Sequence, residues 1–136
     1  MESHQSVSQG IHHLGLTVPS VRETADFCVR VLGFAEVGAR EDYPAIFVSD
    51  GKIVLTLWQA QCEHPSPFDR KNVVGLHHCA LLLNEGQTLD EVYQRLESEE
   101  GVTIEFAPEE MGAGPTRHFM FTIPGGLRME IVSPGG

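Results

Sequence analysis

The sequence predicts an α+β fold of two tandem βαβββ modules, and three observations carry that prediction. First, Ile11-His12-His13-Leu14-Gly15-Leu16-Thr17-Val18 returns in pattern as Leu76-His77-His78-Cys79-Ala80-Leu81-Leu82-Leu83, about half a chain later. Second, each copy is followed by a helix start: Ser20-Val21-Arg22-Glu23 and Thr88-Leu89-Asp90-Glu91 are both capping boxes. Third, short strand-like runs separated by turns follow each helix.

The elements follow in order. Leu14, Leu16 and Val18 alternate with His13, Gly15 and Thr17, which gives a first strand with one apolar and one polar face. Val21, Ala25, Cys28, Val29 and Leu32 then recur at helical spacing and predict a helix that stops at Gly33. Strands are expected at Phe34–Val37, Ala45–Val48 and Lys52–Trp58, the last two joined by a turn at Asp50-Gly51. In the second copy, Leu89, Val92, Tyr93 and Leu96 line the helix, and Gly101 ends it. Strands are expected at Val102–Phe106, His118–Ile123 and Leu127–Val132, with a turn at Pro124-Gly125-Gly126. Residues 1–9 read as a flexible polar tail and residues 10–133 as one domain. Within it, module one covers about 10–60, a Pro-containing link about 61–74 and module two about 75–133. Neither module is large enough to bury a sufficient core alone.

Composition narrows the function. The 136 residues are 41% hydrophobic and 21% charged, ordinary values for a globular chain. A formal charge of −10, with no Lys/Arg cluster to offset it, argues against a nucleic-acid partner. No apolar run approaches the ~18 residues that span a bilayer, so no membrane partner is expected. The polar start Met1-Glu2-Ser3-His4-Gln5 does not read as a signal peptide, and three unpaired cysteines (Cys28, Cys62, Cys79) suit a reducing compartment. A cytoplasmic location is therefore expected.

The candidate chemistry lies on the polar strand faces. His13 and His78 occupy equivalent positions of the repeat, and Glu130 lies opposite the apolar row Leu127, Met129 and Ile131. An acid inside an apolar strand is costly to bury without a positive partner. A divalent cation can supply that partner, and two imidazoles with one carboxylate make a facial ligand set. Periodicity alone also leaves Glu130 open as a solvating charge on an edge strand. Arg128 shares its face and can pair with an anionic substrate group or be solvated at the strand end; His118 can line the cavity or cap a loop. His12 and His77 have the opposite parity and read as outward or helix-side residues. Cys79 reads as a small buried hydrophobe.

Four segments together resemble the vicinal oxygen chelate superfamily: Ile11–Val18, Val31-Leu32-Gly33-Phe34, Gly75-Leu76-His77-His78 and Ile123-Pro124-Gly125-Gly126-Leu127-Arg128-Met129-Glu130. That superfamily includes glyoxalase I, glutathione-dependent fosfomycin resistance enzymes, methylmalonyl-CoA epimerase, extradiol dioxygenases and bleomycin resistance proteins. The resemblance implies a glyoxalase-like fold, in which curved mixed sheets enclose a metal cavity. It places the metal ligands on His13, His78 and Glu130. Arg128, Thr17, Thr56 and His118 are the residues expected to meet substrate. The fourth ligand of glyoxalase I and the epimerase, a Glu or Gln in the fourth strand, falls on Val54 in this reading. Gln59, the nearest amide, has the wrong parity.

The implied function is a divalent-metal-dependent enzyme that chelates two neighbouring oxygens of a small substrate. The metal would be Fe, Mn, Ni or Zn. The reaction is expected to be of the lyase/isomerase type or a thiol transfer with glutathione as co-substrate. An Fe(II) extradiol-type ring-cleaving dioxygenase is the first alternative, and a non-enzymatic small-molecule-binding protein like the bleomycin resistance members is the second. Short members of the superfamily commonly form homodimers whose cavities combine the first module of one chain with the second of the other. A homodimer of that kind is expected here.

Overall fold

The computed structural model describes residues 5–135, so the first four residues of the expected tail lie outside the described residues. The chain divides into two units, Met1–Ala60 and Gln61–Gly136.

The first unit runs β1 (His13–Val18), α1 (Val21–Arg30), β2 (Ala35–Arg40), β3 (Ala45–Ser49) and β4 (Val54–Gln59). Its strands form one mixed sheet in the order β1-β4-β3-β2, with β1 parallel to β4 and the other pairs antiparallel. The second unit runs β5 (Cys79–Leu82), α2 (Leu89–Glu97), β6 (Thr103–Glu110), β7 (Arg117–Thr122) and β8 (Arg128–Ser133). Its sheet has the order β5-β8-β7-β6, again with only the β5–β8 pair parallel. The doubled βαβββ pattern expected from the repeat is therefore the observed fold.

One face of each sheet packs under its helix. In the first unit Leu16, Leu57 and Ile46 lie side by side across β1, β4 and β3, with Val48 beside Leu55 in the next row. All five are buried. In the second unit Cys79, Met129 and Phe121 form the equivalent row, followed by Leu81, Ile131 and Phe119. Burying each large apolar side chain contributes roughly 1.5–3 kcal/mol, so these rows hold each helix to its sheet.

Helix α1 buries Ala25 and Cys28 of the expected stripe but not all of it. Thr24, Ala25, Phe27 and Cys28 are buried with the cap residue Val31, whereas Val29 is exposed. The helix ends at Arg30 and packs over β3 and β4. Both N-caps form as expected. Ser20 Oγ accepts from the Glu23 N–H and Thr88 Oγ1 from the Glu91 N–H, each at 3.2 Å. Gln59 holds α1 from the sheet side, its Oε1 accepting from the Val21 N–H at 3.0 Å and its amide nitrogen donating to the Pro19 carbonyl. The Asp50-Gly51 turn is closed by Asp50 Oδ1, which accepts from the Lys52 and Ile53 N–H groups at 2.9 Å. Strand β6 runs to Glu110, beyond the expected Phe106, and tolerates Pro108 because it is an edge strand broken by register shifts.

Candidate functional site

The helix-free face of the second sheet carries the most concentrated polar chemistry. Strand β8 lies between β5 and β7, and Glu130 is flanked by Ala80 on one side and Met120 on the other. Glu130 is only 5% exposed, so the reading of it as a solvating charge on an edge strand does not hold. A buried carboxylate of this kind needs partners. His78 Nε2 lies 3.2 Å from Glu130 Oε1, and His118 Nδ1 contacts Glu130 Oε2. The other nitrogen of His118 lies 3.8 Å from Glu109 Oε1, and its ring packs edge-on against Phe106. His118 thus reaches the site rather than capping a loop.

Beside this group lies a second cluster that the sequence did not bring together. Arg128 is buried and paired in a fork with Glu105. Its Nε donates to Oε1 at 2.8 Å and its Nη2 to Oε2 at 2.6 Å. Arg70 Nη1 approaches the same carboxylate at 3.7 Å. The hydrogen bonds donated by Arg128 hold the Glu105 carboxyl below its usual range, and the same bonds raise Arg128 in return. The edge of Arg128 expected to meet a substrate anion is therefore already engaged. Its remaining nitrogen, Nη1, lies 3.3 Å from His77 Nδ1, which in turn lies 2.8 Å from His78 Nδ1. Loss of hydration and the Arg128 charge push His77 below the usual imidazole range. Strand alternation had set His77 apart from the site, but β5 begins at Cys79, so parity does not govern either His77 or His78. Glu105 and Glu109 left no sequence signal, because the irregular register of β6 makes the facing of its side chains unreadable from spacing.

The first unit repeats this layout with different residues. His13 Nδ1 lies 2.9 Å from His12 Nδ1. The β1–β4 register pairs His13 with Val54 and Gly15 with Thr56, whereas Ala80 pairs with Glu130 in the second sheet. Thr56, not Val54, is therefore the counterpart of Glu130 in the repeat. Val54 matches Arg128. Thr56 is buried and its Oγ1 accepts from Trp58 Nε1 at 3.0 Å. A Cβ on Gly15 would come within 3.2 Å of that hydroxyl, so glycine keeps the space beside it open. Trp58 packs against Tyr43 and Phe47, and the Arg40 guanidinium carbon lies 5.9 Å from its ring centre. Thr17 is exposed on the same strand face.

The paired modules fit a known family. A model of the Glyoxalase/Bleomycin resistance protein/Dioxygenase superfamily matches residues 10–131. The chain belongs to that superfamily. No curated protein matches it. Solved glyoxalase-superfamily structures share its fold. A glyoxylase/bleomycin resistance protein/dioxygenase domain from Frankia sp. EAN1pec superposes with a TM-score of 0.79 at 21% identity, covering 94% of this chain and 98% of that one. Lactoylglutathione lyase from Agrobacterium tumefaciens gives 0.70 at 19%, covering 94% and 96%. The fosfomycin resistance protein FosX from Listeria monocytogenes gives 0.68 at 15%, covering 93% and 94%.

Members of the glyoxalase superfamily commonly use divalent metals, and the donor chemistry of the second unit suits one. Metal bonds of about 2.1 Å place neighbouring ligand atoms about 3.0 Å apart in an octahedral ion and about 3.4 Å apart in a tetrahedral one. The 3.2 Å between His78 Nε2 and Glu130 Oε1 falls in that interval. Among the described residues no three His, Cys, Asp or Glu side chains are grouped to hold a metal ion, so this pair lacks its third donor. Cys79 is buried, which pushes its thiol up, and it stands apart as an inert core residue.

Proposed function

We propose that this protein is a divalent-metal-dependent enzyme acting on a small substrate that offers two neighbouring oxygens to the metal. His78 and Glu130 are the ligands from the second unit, and His13 supplies the third donor, from the same chain or from a second copy. The observation that carries this reading is the contact between His78 Nε2 and Glu130 Oε1 on a buried carboxylate whose other oxygen is held by His118. When bound, the metal would act as a Lewis acid toward negative charge developing on a substrate oxygen. The protein's own residues orient that chemistry. His118 fixes the carboxylate, and Thr17 and Thr56 offer hydroxyls to the substrate from the first unit.

Thr56 at the repeat counterpart of Glu130 favours a three-ligand site over the four-ligand type implied for glyoxalase I and the epimerase. That leaves more open positions for substrate oxygens and supports a reading as thiol transfer, with glutathione as co-substrate, over proton-shuttling isomerisation. Metal analysis after anaerobic purification tests the reading. Stoichiometric Mn, Ni or Zn, lost on His78→Ala or Glu130→Ala with secondary structure intact, is the expected result. Iron accompanied by oxygen uptake on a catechol would instead establish the ring-cleaving dioxygenase, and a metal-free protein that still binds a small ligand would make it a binding protein. Full metal retention in His78→Ala would sink the ligand assignment.

A further inference from the structure

We propose that Arg70 presents a seat for an oxyanion, the carboxylate or phosphonate group of a substrate, in the second unit. Assigning that anion to the substrate rests on the reading of His78 and Glu130 as metal ligands. Two guanidiniums share one carboxylate here. Arg128 donates to both oxygens of Glu105, at 2.8 and 2.6 Å, and Arg70 Nη1 lies 3.7 Å from Glu105 Oε1. The next carboxylate, Glu130, contacts His78 and His118 and is the one given to the metal. One positive charge at Glu105 is therefore left without its own anion, in a chain whose formal charge is −10.

Arg70 is the member placed to use that charge. Each nitrogen of Arg128 already faces a protein group, Nε and Nη2 on Glu105 and Nη1 on His77, and its side chain is only 9% exposed. The Arg70 side chain is 33% exposed, and Glu105 is its one ionic partner among the described residues. At 3.7 Å that contact is too long for a hydrogen bond, and a part-exposed ion pair adds little stability. The donors of Arg70 stay available to a ligand. Its backbone is nevertheless held. Asp69 Oδ1 accepts from the Lys71 and Asn72 N–H groups at 3.0 and 3.2 Å, and the Asp69 carbonyl accepts from the Val73 N–H at 3.1 Å. A guanidinium fixed at its root with free donors at its tip suits an oxyanion. Arg128 and Glu130 stand two residues apart on β8, about 7 Å along one face. A small molecule held at Glu130 therefore has its far end beside this cluster.

The test titrates methylphosphonate and, in parallel, acetate into the Zn2+-loaded protein and follows the arginine Nε–Hε signals by 15N NMR. The Arg70 signal should shift to saturation with at least one of the two, and the tighter anion identifies the group. Arg70→Gln should weaken that anion about tenfold or more and leave Zn2+ affinity unchanged, with Arg70→Lys in between. Glu105→Gln removes the competing carboxylate and should tighten anion binding several-fold, a gain that a purely structural ion pair does not give. An Arg70 signal that neither anion moves, anion affinity unchanged in Arg70→Gln, or no gain in Glu105→Gln overturns the seat and leaves the metal reading intact. A native protein that binds no Zn2+ sinks the metal-ligand reading instead. The metal-free Glu105→Gln protein then decides the seat: anion binding that moves the Arg70 signal upholds it, and no such binding overturns it.

Discussion

Glu105 shows how a single contact reassigns a neighbour. Its fork to Arg128 converts a cation expected to face substrate into one aimed at His77. The pair also carries a pH dependence with a definite sign. The folded Glu105 carboxyl titrates below its unfolded value, so its stabilisation is fully present above about pH 4.3, the ordinary glutamate value, and fades as pH falls through the lower folded value. Urea midpoints should therefore drop on acidification below that point, and Glu105→Gln should flatten this part of the profile. At neutral pH the same substitution should cost about 1–3 kcal/mol, because a buried guanidinium loses its charged partner. A second residue-scale test uses Trp58, the only tryptophan. Thr56→Val removes the acceptor of its indole N–H, which should cost about 1 kcal/mol and change the indole emission.

At the scale of elements, the two helices depend on caps visible in the sequence and on one contact that is not. Ser20→Ala and Thr88→Ala should each lower stability by about 0.5–2 kcal/mol, measured as denaturant midpoints at constant slope. Gln59→Ala should add a loss specific to α1, because its side chain ties the end of β4 to the Val21 N–H and the Pro19 carbonyl. An unchanged midpoint would show that water replaces the amide there. Strand pairing is what assigns Thr56 as the counterpart of Glu130. The resemblance puts the fourth-ligand position on Val54, and only the register between β1 and β4 moves it to Thr56.

For the whole molecule the proposed ligand set draws on both units, and the expected assembly is a homodimer in which His13 comes from one chain and His78 with Glu130 from the other. Mixing His13→Ala and Glu130→Ala proteins under subunit exchange should then restore a fraction of metal binding, since some mixed dimers regain one intact site. Mixed dimers that recover none despite proven exchange would favour sites built within single chains. A strictly monomeric mass by light scattering would remove the dimer altogether.

The repeat, the capping boxes and the alternation of Leu14, Leu16 and Val18 determined the doubled βαβββ fold from the sequence alone, because each signal is local and governed by a fixed periodicity. The same parity put Glu130 on the face opposite the apolar row, and its burial between Ala80 and Met120 bears that placement out. Tertiary structure decided the rest. The Glu105–Arg128–His77–His78 chain joins residues far apart in sequence through side-chain reach, on strands interrupted by bulges or at positions just before a strand begins. Periodicity reports which face a residue occupies. Which nitrogen meets which oxygen across that face depends on register, strand ends and side-chain length, and those are set only when the strands pair.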